Sequence, residues 1–292
     1  MRTRIRPRGR RPSRREFLGA GAGIAALAPA GPSTGAPAKK RVVFVAGPKS
    51  HPFGQHSHNA GCLLLAKCLK EGLPGIETAV HQDGWPEDPS YFDGAGTVIF
   101  FADGGPGNPA LPHVETVESF VERGIGLGVL HYALCVPKGR SGEAFLNSIG
   151  GYYETHWSVN PMWTARFAEL PEHPATRGVR PFAIHDEWYY HMRFRPDMEG
   201  VTPILTAVPP ESTRNRPDGA HSGNPTVRSR KGMPEHVAWA YERPGGGRGF
   251  GFTGGHFHWA WSHDSYRKAM LNLTAVRLSF SRRLLSDLYS VA

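Results

Sequence analysis

The chain has 292 residues, 39% of them hydrophobic, which is enough for one large domain or two small ones. Its formal charge of +9 invites a nucleic-acid reading, but residues 1–38 alone hold eight Arg against one Glu. Residues 39–292 carry 26 basic and 24 acidic groups, so the body is nearly balanced and nucleic-acid binding is excluded.

The first segment reads as an export signal. Ser13-Arg14-Arg15-Glu16-Phe17-Leu18 is a twin-arginine signature, Gly19 to Ala28 is a short apolar stretch, and Ala36-Pro37-Ala38 is a small-x-small cleavage site. The apolar stretch is too short for an ordinary membrane span. The expectation is a periplasmic or secreted protein with no membrane anchor after cleavage; the plainer alternative is a disordered basic tail. The expected boundaries are a signal peptide over 1–38, one domain over 39–280 and a tail over 281–292. Cys62, Cys68 and Cys135 read as small buried thiols rather than a disulfide pair.

Arg41 to Ala46 is a continuous apolar, β-branched run, as in a buried strand of a parallel sheet. A loop with three histidines follows, then helical spacing from Ala60 to Lys70 with Asn59 as a cap. Ile76–Val80 and Thr97–Ala102 are strands, Leu111–Arg123 is a helix, and Gly126–Leu130 is a strand that delivers His131 at its carboxyl end. This alternation predicts a doubly wound, mostly parallel α/β sheet. Ser141–Ile149 reads as a helix, Thr202–Val208 as a strand, and Pro209–Pro234 as a long Pro, Gly, Ser and Arg-rich loop, either a lid or disordered. His236–Tyr241 and Arg248–Thr253 read as paired strands, and a last helix runs from Ser265 to about Leu278.

Fifteen histidines stand in the chain, most of them in loops or at strand ends. Two H-x-H pairs occur, His56/His58 and His256/His258. Residues i and i+2 of an extended chain share a side, so each pair could hold one metal through two imidazoles, or each histidine could simply bond a loop carbonyl. His56, His58 and His258 are the candidate ligands, for a divalent zinc, manganese or iron ion. His131 stands where an α/β enzyme places a catalytic side chain, unless it is a cap satisfied by backbone. Asp186-Glu187 offers adjacent carboxylates beside an aromatic ring, suited to acid or base work or to pairing with Arg193 or Arg195. The aromatic, His-rich segments suggest a carbohydrate ligand at His156, Trp157, Asn160, Trp188, Tyr189 and Trp259, though Trp and Tyr also build cores.

The stretches VVFVAGPKSHPFGQHSHNAG, GLGVLHYA, GGYYETHWSVNP, His185-Asp186-Glu187-Trp188-Tyr189 and GRGFGFTGGHFHW make the chain resemble the ThuA-like, or trehalose-utilisation, family over most of residues 40–278. The resemblance implies a flavodoxin-like fold of the class I glutamine amidotransferase type. His131-Tyr132-Ala133 stands where such amidotransferases keep a cysteine between glycines, and Cys135 comes four residues late, so glutaminase activity is rejected. The triad histidine of that fold corresponds to His256. The family's context implies sugar catabolism beside oxidoreductases that make 3-keto sugars. The expected activity is elimination, hydrolysis or isomerisation of a keto-glycoside, with His131, His256 and Glu187 as acid and base groups. A non-catalytic carbohydrate-binding or scaffold protein is the alternative.

Overall fold

The computed structural model describes residues 40–277. The expected signal peptide and the tail at 281–292 lie outside the described residues. The central sheet has seven strands: β1 (Lys40–Ala46), β2 (Ile76–His81), β3 (Ala95–Phe101), β4 (Gly126–Leu130), and, later in the chain, β9 (Val201–Ala207), β10 (Glu235–Glu242) and β11 (Arg248–Phe252). Their spatial order is β2-β1-β3-β4-β11-β10-β9. The five strands from β2 to β11 are parallel, and β10 and β9 complete the sheet antiparallel. The predicted doubly wound, mostly parallel sheet is therefore present.

The near-continuous apolar strands follow from burial on both faces. Side chains alternate across a strand, so one strand feeds two cores. Val42, Phe44, Ile99, Leu130 and Phe252 pack with α1 (His58–Gly72) and α6 (Asp264–Arg277), through Leu65, Leu69, Met270 and Leu273. Val43, Val45, Val98, Phe100 and Val129 pack with α2 (Val114–Glu122) and α3 (Arg140–Ile149), through Val117, Phe120, Phe145 and Ile149. The glycine spacing of β11 has a packing reason. A Cβ on Gly251 would run into the Trp239 ring, whose indole N–H donates to the Ile149 carbonyl at 2.7 Å.

Between α3 and β9 the chain builds a layer that serves the site. β5 (Gly151–Tyr152) pairs with β8 (Arg193–Phe194), and β6 (Met162–Phe167) forms an antiparallel pair with β7 (Phe182–Glu187). The segment 209–234, expected as a lid or as disordered, is ordered. It contains α4 (Glu211–Arg214) and α5 (Pro225–Ser229). Arg214, fully buried, donates to Glu235 at 2.9 Å, and Arg230 reaches the same carboxylate at 2.8 Å. Asn224 caps α5 and also donates to the Trp157 carbonyl at 2.9 Å, tying the segment down. Composition hid these anchors because Pro, Gly and Ser dominate the segment while a few Arg and Asn side chains close it. The three cysteines are free, as expected, although Cys68 is only half-buried.

Candidate functional site

The carboxyl ends of β1, β3, β4 and β11 open on one side of the sheet, where ligands bind in open α/β folds. The loop after β1 brings His51 and His56, the end of β3 brings Asp103, β4 ends at His131, and β11 leads into His256. His131 has φ 53° and starts a one-turn 3-10 helix, so it stands at a left-handed strand-to-helix elbow that projects its imidazole into the site. Two loops from opposite ends of the chain are laced together there. The His56 N–H donates to the His256 carbonyl at 2.9 Å, and the His258 N–H donates to the Gly54 carbonyl at 2.8 Å.

The paired carboxylates divide the work as strand geometry requires, because neighbours on a strand face opposite ways. Asp186 is fully buried and accepts from Gly255 N–H at 2.9 Å, Phe257 N–H at 3.3 Å and the Tyr266 hydroxyl at 2.7 Å. It shapes the turn that carries His256. Glu187 turns the other way, into the histidines.

Four donor atoms converge: His56 Nε2, His131 Nε2, His256 Nδ1 and Glu187 Oε2, all within 4.8 Å of one another. His56 Nε2 lies 3.0 Å from His256 Nδ1 and 3.1 Å from His131 Nε2. Glu187 Oε2 lies 3.4 Å from His131 Nε2 and 3.2 Å from His256 Nδ1. The Tyr189 hydroxyl sits 3.1 Å from His131 Nε2 and 3.3 Å from Glu187 Oε2, and its ring stacks on His131.

Partners behind the rings fix the tautomers. The His131 Nδ1–H donates to the Thr253 carbonyl at 2.8 Å, and the His56 Nδ1–H donates to Asp103 at 2.8 Å. Each neutral ring then turns a bare Nε2 toward the other, and the protons within reach are on the Tyr189 hydroxyl, 3.1 Å from His131 Nε2, and on the His256 ring, whose Nδ1 is 3.0 Å from His56 Nε2. Burial pushes His56 down to about 3, so the ring stays uncharged at neutral pH. A cation held between the donor atoms would satisfy both lone pairs at once. Bonds of about 2.0 Å to a tetrahedral metal put donor atoms about 3.3 Å apart, close to the four separations of 3.0 to 3.4 Å given above. Backing of the ligand rings by a carboxylate and a carbonyl is the usual outer shell of such a centre. The donor set fits a zinc, manganese or iron ion; His256 differs from the other two in having its Nε2 buried without a partner among the described residues.

Electrostatics hold the carboxylates ionised. Burial opposes the charge on Glu187, yet the close approach of the His131 and His256 rings outweighs it and keeps the group well below the usual carboxylate range. Asp103 is likewise lowered to about 2, burial being outweighed by hydrogen bonds from His56 and Ser50. Burial pushes the Tyr189 phenol well above its ordinary value, so it stays a donor.

Of the residues the sequence singled out, His56, His131, His256, Glu187 and Tyr189 meet in the cluster. Asn160 joins them by donating to Glu187 Oε1 at 3.1 Å. His58 does not: it opens α1, donates from Nδ1 to the Pro48 carbonyl at 3.1 Å, and leaves Nε2 3.7 Å from Asp103. His258 does not either, because the chain turns into a 3-10 helix at that residue and the two-residue alternation ends. The H-x-H pairs thus contribute one histidine each to the cluster instead of two. Trp188 is corrected to a core residue, fully buried against Phe167, Phe252 and Tyr266. The Trp157 ring is taken up by His191, stacked at 4.4 Å, and by the Arg193 guanidinium at 3.5 Å. His156 is exposed, and Trp259 is exposed and stacked on Phe257, both outside the cluster. His51 was missed as a site residue; it stacks on His56 with ring centroids 3.6 Å apart and lines a cleft of about 260 Å³ with Phe53 and His58. Its signal was membership of the same His-rich loop, and that of Asp103 was the Asp-Gly-Gly following an apolar strand.

The buried imidazoles make the metal-free protein acid-sensitive. His56 is lowered from 6.5 to about 3 and His191 to about 4, in each case mainly by burial. The unfolded chain binds these protons first, so stability is intact above pH 6.5 and falls as pH drops from there toward 4. The thermal midpoint of the apo protein is expected to decline over that window in a scan of buffered samples; a flat profile between pH 7 and 4.5 would contradict it.

A family model described as trehalose utilisation, ThuA, matches residues 41–275. Among solved structures, a ThuA-like protein from Bacteroides uniformis is similar with a TM-score of 0.56 and 16% identity, covering 85% of this chain and 95% of that one. Another from Parabacteroides merdae is similar with a TM-score of 0.53 and 13% identity, covering 82% and 90%. These likenesses support the fold. No curated protein matches the chain in sequence.

Proposed function

Because the chain belongs to the ThuA family of trehalose utilisation, we propose that it is an exported enzyme of carbohydrate catabolism that acts on a 3-keto glycoside, with one divalent metal ion at the histidine cluster. The observation that carries this reading is the convergence of three imidazole nitrogens and one carboxylate oxygen, from His56, His131, His256 and Glu187, within 4.8 Å of one another. A ring carbonyl acidifies the neighbouring C–H, so proton removal followed by elimination or isomerisation is the chemistry such a substrate invites. The bound ion supplies Lewis-acid polarisation of the carbonyl oxygen and stabilises negative charge developing there.

The chain's own groups divide the remaining tasks. His56, His131, His256 and Glu187 hold the ion, and Asp103 and the Thr253 carbonyl keep two of the rings in the ligating tautomer. Tyr189, kept protonated by burial, donates to the ligand set and walls it from the core. His51, stacked on His56 and outside the ligand set, is assigned to proton transfer at the cleft. The export part of the reading rests on Arg14-Arg15 and the Ala36-Pro37-Ala38 site.

The test is elemental analysis of the mature protein together with assays on a glycoside and its 3-keto form. One ion per chain and turnover of the keto form alone is the expected result. Absence of both a bound ion and any turnover overturns it, and sugar binding without turnover points instead to a binding protein.

A further inference from the structure

Glu187 belongs to two places at once. Its Oε2 lies in the histidine cluster, and its side chain also lines a polar pocket of about 440 Å³ with Asn160, Met162, Ser212, Thr213 and Arg216. That volume lies within the range of small-molecule sites. Arg216 is half-buried, and its Nη1 is buried with no hydrogen-bond partner among the described residues. No carboxylate lies within ion-pair distance of it among those residues, whereas its neighbours on the same segment are matched: Arg214 and Arg230 by Glu235, Arg228 by Asp218. A buried donor without an acceptor is unfavourable, more so when charged.

The charge balance of the pocket points the same way. Glu187 is the one carboxylate in its lining, and that charge is already engaged by His131 and His256. The guanidinium is therefore uncompensated, beside a centre that gains further positive charge when the ion is bound. The segment that presents it is fixed by the buried Arg214–Glu235 pair and by the Asn160 N–H, which donates to the His221 carbonyl at 3.1 Å.

We propose that this pocket receives the carboxylate of an acidic sugar, a uronate or aldonate, paired with Arg216. A guanidinium matches a carboxylate through two parallel hydrogen bonds. The Ser212 hydroxyl and the Asn160 amide then address sugar hydroxyls, and the ring is laid beside Glu187. The substrate class of the site described above is thereby narrowed from glycosides in general to anionic ones, and this step rests on reading that site as a sugar site.

The test is calorimetric titration of the metal-loaded mature protein with D-glucuronate and with D-glucose, on wild type, Arg216→Gln and Arg216→Lys. Glucuronate is expected to bind at least tenfold tighter than glucose to wild type. Arg216→Gln should lose that preference with unchanged metal content, and Arg216→Lys should keep part of it, with raised salt weakening glucuronate alone. Equal binding of the two sugars by wild type, or a preference that survives Arg216→Gln, overturns the proposal. Metal content is read on the same samples: a chain that holds no ion yet prefers glucuronate through Arg216 supports the acidic-sugar pocket while overturning the metal reading.

Discussion

Replacing His131 with alanine is expected to leave a folded protein that neither retains its ion through dialysis nor turns over a 3-keto glycoside, with a loss in kcat/KM of roughly a thousandfold or more. The size of the effect follows from where the ring stands. It closes one side of the ligand set, its Nδ1–H is committed to the Thr253 carbonyl, and its Nε2 is the atom His56 faces at 3.1 Å. Alanine removes a ligand that no neighbour can replace, because His58 and His258 point elsewhere. It also leaves a cavity and strips the buried Thr253 carbonyl of its donor, so the metal-free variant should be less stable than metal-free wild type, while added metal should stabilise wild type and not the variant. That difference in response to metal separates a ligand from a merely structural histidine. Thermal midpoints of both proteins, with and without added zinc or manganese, make the comparison; a variant that binds the ion with wild-type affinity contradicts the assignment.

Asp186→Ala is expected to be the more damaging change to the fold. The carboxylate collects three backbone N–H groups, of Glu187, Gly255 and Phe257, and the Tyr266 hydroxyl. Removing it strands two fully buried donors, the Gly255 N–H and the Tyr266 hydroxyl, at about 1–3 kcal/mol each, against a total stability of about 5–15 kcal/mol for a typical domain. A loss of several kcal/mol should appear as a strongly lowered urea midpoint or as insoluble protein. Asp186→Asn keeps an acceptor and should fold, yet it should bind the ion more weakly because the turn carrying His256 is no longer held at the same point. An alanine variant that unfolds at the wild-type urea concentration refutes this account.

The layout of the sheet and the outline of the site were written in residue types, but the allotment of side chains was not. Val42 to Ala46 and Val98 to Phe101 are apolar on successive residues, which only a strand covered on both faces requires, and the parallel order followed. His131 and His256 were legible because each ends such a strand. His58 and His258 were misread because extended alternation was assumed where the chain in fact enters a helix or a helical turn. Trp188 was misread because aromatic neighbours in sequence, Trp188 and Tyr189, fall on opposite sides, one in the core and one on the ligand ring. Arg214 escaped notice because the carboxylate that holds it, Glu235, lies beyond the end of the segment it anchors.

The lacing of the loop at His56 to the turn at His256 has a consequence for biogenesis. The two rings touch across 200 positions of sequence, so the centre cannot exist on a chain still under synthesis. Contacts of such long range form late, after the local strand–helix units. An ion held there would have to be captured by a finished molecule, and the compartment in which folding is completed would decide which metal the protein receives.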